Sequence, residues 1–386
     1  MANVLTNLAL DIQKAADEVG RELVGAIPSV LINADGSDRV AVGDVVRSHF
    51  TRQPSASVAI TPSMTVPEGT DQTVDNKTAT ISKAQGIQIP WTGEDVRHVD
   101  NGIGFGTIYG DQIKQAMRTL TNEIEIDLLT EIYRNASRAI GTAGTTPFAS
   151  NFNEVAQIRQ ILVDNGCAMG DTTLIVNSLA GTNLRNLAQL QKANEAGGTQ
   201  LLRQGTLLDL QEIMLKESAG IRSHTKGTGA GYLVNNTGGL AVGTTTIPVD
   251  TGTGTVLAGD IVTFAGDTVN KYVVTGALSG GAFTIGAPGL RVAIADNAAV
   301  TVGNNYTANV ALRRNAAELI IRPPAVPSIN GVNRDAAIDA MTVQDPHSGL
   351  VFEVRAYVGF RKAMFEISAA WGVKAWKPEN IALLLG

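Results

Sequence analysis

A single cysteine, Cys167, stands among 386 residues, so no intrachain disulfide can form and secretion gains no support. Histidine is almost as scarce. His49, His98, His224 and His347 never fall into a metal-ligand spacing, and with one thiol no zinc site and no other metal or cofactor site is expected. Charge is thin too: 17% of residues carry it, against about 25% in an average soluble domain, while hydrophobic residues reach 44%. That balance leaves little to cover a solvent-facing exterior, and part of the monomer surface is expected to face other subunits. Basic clusters are missing as well. Net charge is −6, from 30 Lys and Arg against 36 Asp and Glu, and the densest basic stretch, "ALRRNAAE", offers only Arg313 and Arg314. Neutralising phosphates takes clustered cations, so tight nucleic-acid binding is not expected.

Long apolar runs are also absent. No stretch approaches the roughly 18 residues of a membrane span. The opening "MANVLTNLALDIQKAADEVG" has no basic n-region and meets Asp11 early, so it does not read as a signal peptide, and a cytosolic protein is expected. One absence is local: no Glu occurs between Glu217 and Glu318. Residues 226–309 hold 16 of the 41 glycines and only seven charged side chains. Short apolar runs such as "GDIVTFAG", "NKYVVTG" and "GAFTIG" recur there between turn signals, which predicts a small all-β unit inserted in the chain.

Turning to what is present, Val4, Leu5, Leu8, Ile12, Ala15, Ala16, Val19, Leu23 and Ile27 recur three or four apart, which predicts an amphipathic helix ending before Pro28. It serves either the chain's own core or an arm that docks elsewhere. From 39 to 98 the text turns β-like: "RVAVGDVVRSHF" suggests a strand pair, and "KTATIS" and "GIQIPW" suggest strands. Residues 62–80 have little apolar content beyond Met64, Val66 and Val74. Such a stretch cannot hold itself folded by burial and reads as a long extended loop or hairpin ordered by neighbours. The next signal is the strongest. Ile113, Met117, Leu120, Ile124, Leu128 and Ile132 predict a helix of about 25 residues within 110–141, with Asp111 as N-cap and Gly141 just past its end. Lys114 and Arg118 come first on it, then Glu123, Glu125, Asp127 and Glu131, a segregation that suits either a solvated face or partners on adjacent chains. Residues 151–220 read as a mixed α+β unit, "LVFEVRAYVG" and "AMFEISAAWGVKAW" alternate as strands do, and the apolar "IALLLG" is expected to be buried, either as the last strand of the chain's own core or against another chain.

Chemistry finds little footing. "DPHSG" gathers Asp345, His347 and Ser348, but triads are assembled from distant positions, and Pro and Gly mark a turn. "GIGFG" at 102–106 and "GTGAG" at 227–231 lack phosphate-loop spacing and read as a bend and a linker.

The order of these parts, with the last strand, resembles tailed-bacteriophage major capsid proteins. "EISAAWGVKAWKPENIAL" is similar to their closing strand, where Pro378, Glu379 and Ile381 match, and "VPEGTDQT" with "ATISKAQGIQIPW" is similar to their extended loop. The insertion and "RRNAAELIIRPP" after it resemble coat proteins of short-tailed enterobacterial phages, which carry an inserted β-barrel. The resemblance implies an α+β chain with the tailed-phage/herpesvirus major capsid fold (Hong Kong phage type) and an inserted small all-β domain. Its implied parts are an N-terminal arm with the amphipathic helix over 1–38, the extended loop and flanking strands over 39–100 and the long spine helix over 101–140. An axial domain over 141–225, the β-barrel-like insert over 226–309, the axial return over 310–360 and the peripheral closing strand over 361–386 complete it. It implies no catalysis. It implies an icosahedral shell of hexamers and pentamers around double-stranded DNA, built in the bacterial cytoplasm with a scaffolding protein, a portal at one vertex and a decoration protein. The assembly interface then falls on Met64, Val66, Glu68, Asp71, Lys77, Lys114, Arg118, Glu123 and Asp127. The core-closing strand carries Phe365, Ile367, Trp371, Val373, Pro378 and Ile381. A competing reading is a carbohydrate- or surface-binding module carried by the β-unit.

Overall fold

The computed structural model describes residues 6–23, 25–51, 59–66, 74–99, 105–191, 209–329, 332–333 and 335–386. The six apolar residues from Ile113 to Ile132 are all buried on one side of a helix, Phe105–Arg134, that lies across two β-sheets. Its 30 residues make a rod of about 45 Å. The expected N-cap is corrected: the helix has already begun when it reaches Asp111, whose exposed carboxylate lies 3.8 Å from Lys114 Nζ. Gly141 does not cap it either. That glycine ends the strand Arg138–Gly141 at φ 86°, where an added Cβ would sit 2.8 Å from the Leu385 carbonyl.

The first helix, Thr6–Glu22, docks on the chain's own core: Ile12, Ala15, Ala16 and Val19 join the cluster that holds Ile113, Met117 and Leu120. It stops short of Ile27 for a tertiary reason. The N–H groups of Ala26 and Ile27 are donated to the Glu125 carboxylate, at 2.6 and 2.9 Å, and so are lost to a helical ladder.

Strand Lys362–Ala375 is the axis of a six-stranded sheet. One of its edges takes Val351–Gly359 and then Ala317–Arg322, while the other takes Lys83–Thr92 from Lys362↔Thr92 to Trp371↔Lys83. Strands Leu31–Ala34 and Ala337–Gln344 lie outermost. Alternation sends Ile367, Ala369 and Trp371 into the long helix's cluster.

The second sheet, of twelve strands, is built around Ile381–Leu385, antiparallel to Tyr306–Arg313 and parallel to Arg138–Gly141. Ile381, Leu383 and Leu385 enter the long helix's core, and Ala382 and Leu384 enter a second core with Val155, Ile158 and Leu162 of helix Asn153–Asp164. A strand covered on both faces and paired on both edges has no polar side to show, which accounts for the unbroken apolar end. The single closing strand expected over 361–386 is therefore corrected to two strands in two sheets. Pro378, which has no N–H to give a ladder, opens the short Pro378–Asn380 turn between them. The chain makes the same crossing at Arg314–Ala316, and the crossings touch: Trp376 N–H donates to the Ala316 carbonyl at 2.7 Å.

Within 226–309 the strands Thr246–Asp250, Ile261–Phe264, Asp267–Ser279 and Ala282–Ile285 enclose a third core, with Ile247, Val262, Phe264, Tyr272 and Phe283. The chain enters and leaves this region side by side, Ser223–His224 pairing with Tyr306 and Thr307. Lys271↔Ala139 and Tyr272↔Arg138 join it to the second sheet. "GTGAG" is not a free linker: Gly229 and Ala230 hydrogen-bond to Thr255 and Thr253, and a Cβ on Gly227 would lie 2.2 Å from the Thr255 carbonyl.

The predicted strand pair inside 39–50 is also corrected. Gly43, at φ 98°, turns the chain, and only Val45–Thr51 extends. Its partner is Val74–Thr80, from Val45↔Thr80 to Thr51↔Val74, so the loop's base is a two-stranded ribbon. The root of this ribbon is seated by Val40, Ala79 and Ile81 against Ile320, Ala370 and Trp376.

Candidate assembly surfaces

Two ends of the first sheet differ in what they leave uncovered. At one end Ser82 N–H donates to the Trp371 carbonyl at 3.0 Å and Lys77 Nζ to the Trp376 carbonyl at 2.5 Å, anchoring the ribbon. Beyond the anchor, residues 59–66 lie wholly in solvent, with Ile60 99% and Val66 86% exposed and Met64 equally bare. At the other end, where Val351–Gly359 turns into Lys362–Ala375, Phe360 is 92% exposed beside exposed Val358 and Ile338. The strand between the two ends spans about 40 Å. Three bare apolar side chains within residues 59–66, and a phenylalanine at a hairpin tip, are apolar surface that the subunit leaves to solvent.

Of the residues assigned to the interface from sequence, Met64 and Val66 lie on this arm, and Glu68 and Asp71 fall outside the described residues. Glu123 points to solvent. The two readings of the long helix's charges gain a third, since their partners lie on the chain's own first helix. Lys114 Nζ pairs with Glu18 at 2.5 Å, and Arg118 grips Glu22 with Nη2 at 2.6 Å and Nε at 2.9 Å. The Arg118 hydrogen bonds hold the Glu22 carboxyl below the usual glutamate range, and the bond to Glu18 lifts the Lys114 ammonium above the ordinary lysine value. Asp127 is likewise taken from within, by Lys83 Nζ at 2.8 Å and Trp371 Nε1 at 2.9 Å. Sequence reading missed all of these because each joins residues far apart in the chain. Among the core-closing residues, Ile367, Trp371 and Ile381 are fully buried, and Phe365, Val373 and Pro378 are half-buried.

The "DPHSG" segment is a turn. Asp345, buried, accepts the Ser348 N–H at 2.6 Å and the Ser348 hydroxyl, while His347 Nε2 faces Asp17 at 3.0 Å rather than Ser348. His224 sits between Asp260, 2.9 Å from Nε2, and the Tyr133 hydroxyl, 3.3 Å from Nδ1, and all three side chains are buried. The aromatic residues a sugar would stack on, Tyr232, Phe264, Tyr272, Phe283 and Tyr306, are all inside the β-unit or its exit strand. No group of three or more metal-ligating side chains converges among the described residues.

No family model and no curated protein matches the chain. Solved structures similar to it include the capsid of Cyanophage P-SCSP1u, 10% identical at a TM-score of 0.49 over 92% of this chain and 86% of that one. A structure from Mycobacterium phage Che8 is 12% identical at 0.46, over 89% and 84%. A virus-like particle from Pyrococcus furiosus is 9% identical at 0.42, over 97% of both chains.

Proposed function

We propose that this chain is the major capsid protein of a tailed phage, with the fold such proteins share, tiling as hexamers and pentamers into an icosahedral shell around double-stranded DNA. One observation carries the reading: the subunit is sealed inside and unfinished outside. Its final strand is buried on both faces, yet Ile60, Met64 and Val66 stand on an arm that its own core does not cover. The arm leaves one end of the first sheet and the bare Phe360 tip closes the other, so a contact between unlike surfaces of successive copies is head-to-tail. Such contacts close into rings or extend into lattices. The acidic balance suits a container, because a basic inner wall would grip the genome and slow its exit. Each contact need only be weak, since many close the same lattice.

On this reading residues 226–309 are an inserted β-domain, supported by their separate core and their side-by-side entry and exit. A scaffolding protein, a portal at one vertex and a decoration protein complete the expected set of partners. The carbohydrate-binding alternative loses its footing because the aromatics it needs are buried. Sedimentation and electron microscopy of the expressed chain, with and without its scaffolding protein, test the proposal. Shell-sized particles are expected, and a discrete monomer under every condition overturns it.

A further inference from the structure

Glu125 lies in the C-terminal half of the long helix, buried, and nothing in the shell reading uses it. Its oxygens bond to two other segments. Oε1 accepts the Ala26 N–H at 2.6 Å and the Ser218 hydroxyl at 2.8 Å, and Oε2 accepts the Ile27 N–H at 2.9 Å. One carboxylate thus ties both the exit of the first helix and the turn at 218–220 to the long helix. The sequence is cut to fit it: a Cβ on Gly25 would lie 2.0 Å from Glu125 Oε1, and one on Gly220 2.9 Å from its Cγ. The short turn Ile27–Ser29 is braced in turn, since Ser29 Oγ donates to the Gly25 carbonyl at 3.1 Å and accepts from Lys216 Nζ at 2.9 Å.

Beyond this tie the first helix is held by a short apolar stripe, by surface ion pairs and by His347 of the 345–349 turn, whose Nε2 lies 3.0 Å from Asp17 and accepts from Arg21 Nε at 3.3 Å. Its described buried stripe is small, with two alanines among Ile12, Ala15, Ala16 and Val19. Its ion pairs to Lys114 and Arg118 are solvent-facing, and salt screens such pairs. A cavity of about 330 Å³ lies beside the carboxylate, lined by Glu22, Leu23, Thr121 and Glu125, and the Thr121 hydroxyl is buried there without a hydrogen-bond partner among the described residues. A buried carboxylate is tolerable only while hydrogen-bonded, so water admitted through this cavity is what would take over when the backbone donors leave.

We propose that Glu125 is a latch: while it holds Ala26 and Ile27 the first helix stays docked, and when those bonds go, helix and turn leave the long helix as one unit with both sheets intact. The inference concerns the unassembled chain and does not rest on the shell reading. Hydrogen exchange of the full-length, unassembled protein tests it, comparing the parent with Glu125→Ala, Glu125→Gln and Ser218→Ala. Glu125→Ala should speed exchange of residues 12–30 by about tenfold or more, while 128–134 and 381–385 stay within about twofold of the parent. Glu125→Gln, whose amide oxygen still accepts a backbone N–H, should fall between, and Ser218→Ala should lie nearest the parent. Equal loss of protection in 12–30 and 381–385 overturns the latch in favour of a general core role, and so does an unchanged 12–30 segment. Should Glu125→Ala fail to fold, the milder two variants decide: the proposal is lost if their order is absent or if the first helix and the last strand loosen together.

Discussion

Replacing Leu383 by alanine probes the strand on which both sheets' packing converges. Leu383 is fully buried in the long helix's core and its neighbour Leu384 is fully buried in the core beneath helix Asn153–Asp164. Each truncation strips apolar atoms from a site walled by paired strands on both edges, so the cavity cannot collapse easily. A cost of about 3 kcal/mol is expected for each, within the range for buried Leu→Ala. That is more than a hundredfold in the folding equilibrium. The side chains enter separate clusters, so the double variant should lose about 6 kcal/mol, nearly additively. Such a loss matches the whole stability of many domains. Urea unfolding of the unassembled chain, followed by the fluorescence of Trp91, Trp371 and Trp376, reads the change. Leu179→Ala, exposed on its helix, serves as the control and should stay within about 0.5 kcal/mol. Either core variant within about 1 kcal/mol of the parent would refute the claim that this strand seals the subunit.

Met64→Asp with Val66→Asp should leave the thermal unfolding of the subunit unchanged and abolish particles in sedimentation, because neither side chain is covered by its own chain. A shared loss of stability and assembly would place the arm in the core instead. Burial holds the Glu366 carboxyl above the usual glutamate range, so the folded state binds this proton more tightly than the unfolded chain. Its contribution is fully present below the ordinary value and is lost as pH rises through the folded one. Glu366→Gln should therefore stabilise the protein more at pH 7 than at pH 4 in denaturant titrations, and a pH-independent difference counts against this. Lys114→Glu should weaken docking of the first helix, seen as faster exchange there at low salt, and Glu18→Lys in the same chain should restore it. Failure of the double reversal to rescue would mean the pair is incidental.

Local pattern carried some parts of this fold and not others. The register of the long helix was legible in the spacing from Ile113 to Ile132, and the alternation of 351–375 announced its strands, because both signals lie within one element. Helix ends were not. The first helix stops where Glu125, about a hundred residues later, claims its next N–H groups. The partner of strand Val45–Thr51 lies across the loop at Val74–Thr80, and that of Lys83–Thr92 lies near the far end of the chain. Helix Gly93–Val99 had a readable signal that went unused: Thr92 and Asp95 form a reciprocal cap, with Asp95 N–H on Thr92 Oγ1 at 3.2 Å and Thr92 N–H on Asp95 Oδ2 at 3.1 Å. Lys114 and Arg118 showed as a charge pattern, but periodicity along one helix says nothing of which other helix will answer it.

The exposed arm can be tested where it projects. With a photo-crosslinking residue in place of Met64, irradiation of assembled particles should join two copies of this chain, and the same residue at buried position 383 should yield no such dimer. Cross-links confined to a single chain, or none from position 64 in particles that have formed, would contradict the claim that a second copy covers what the subunit leaves bare.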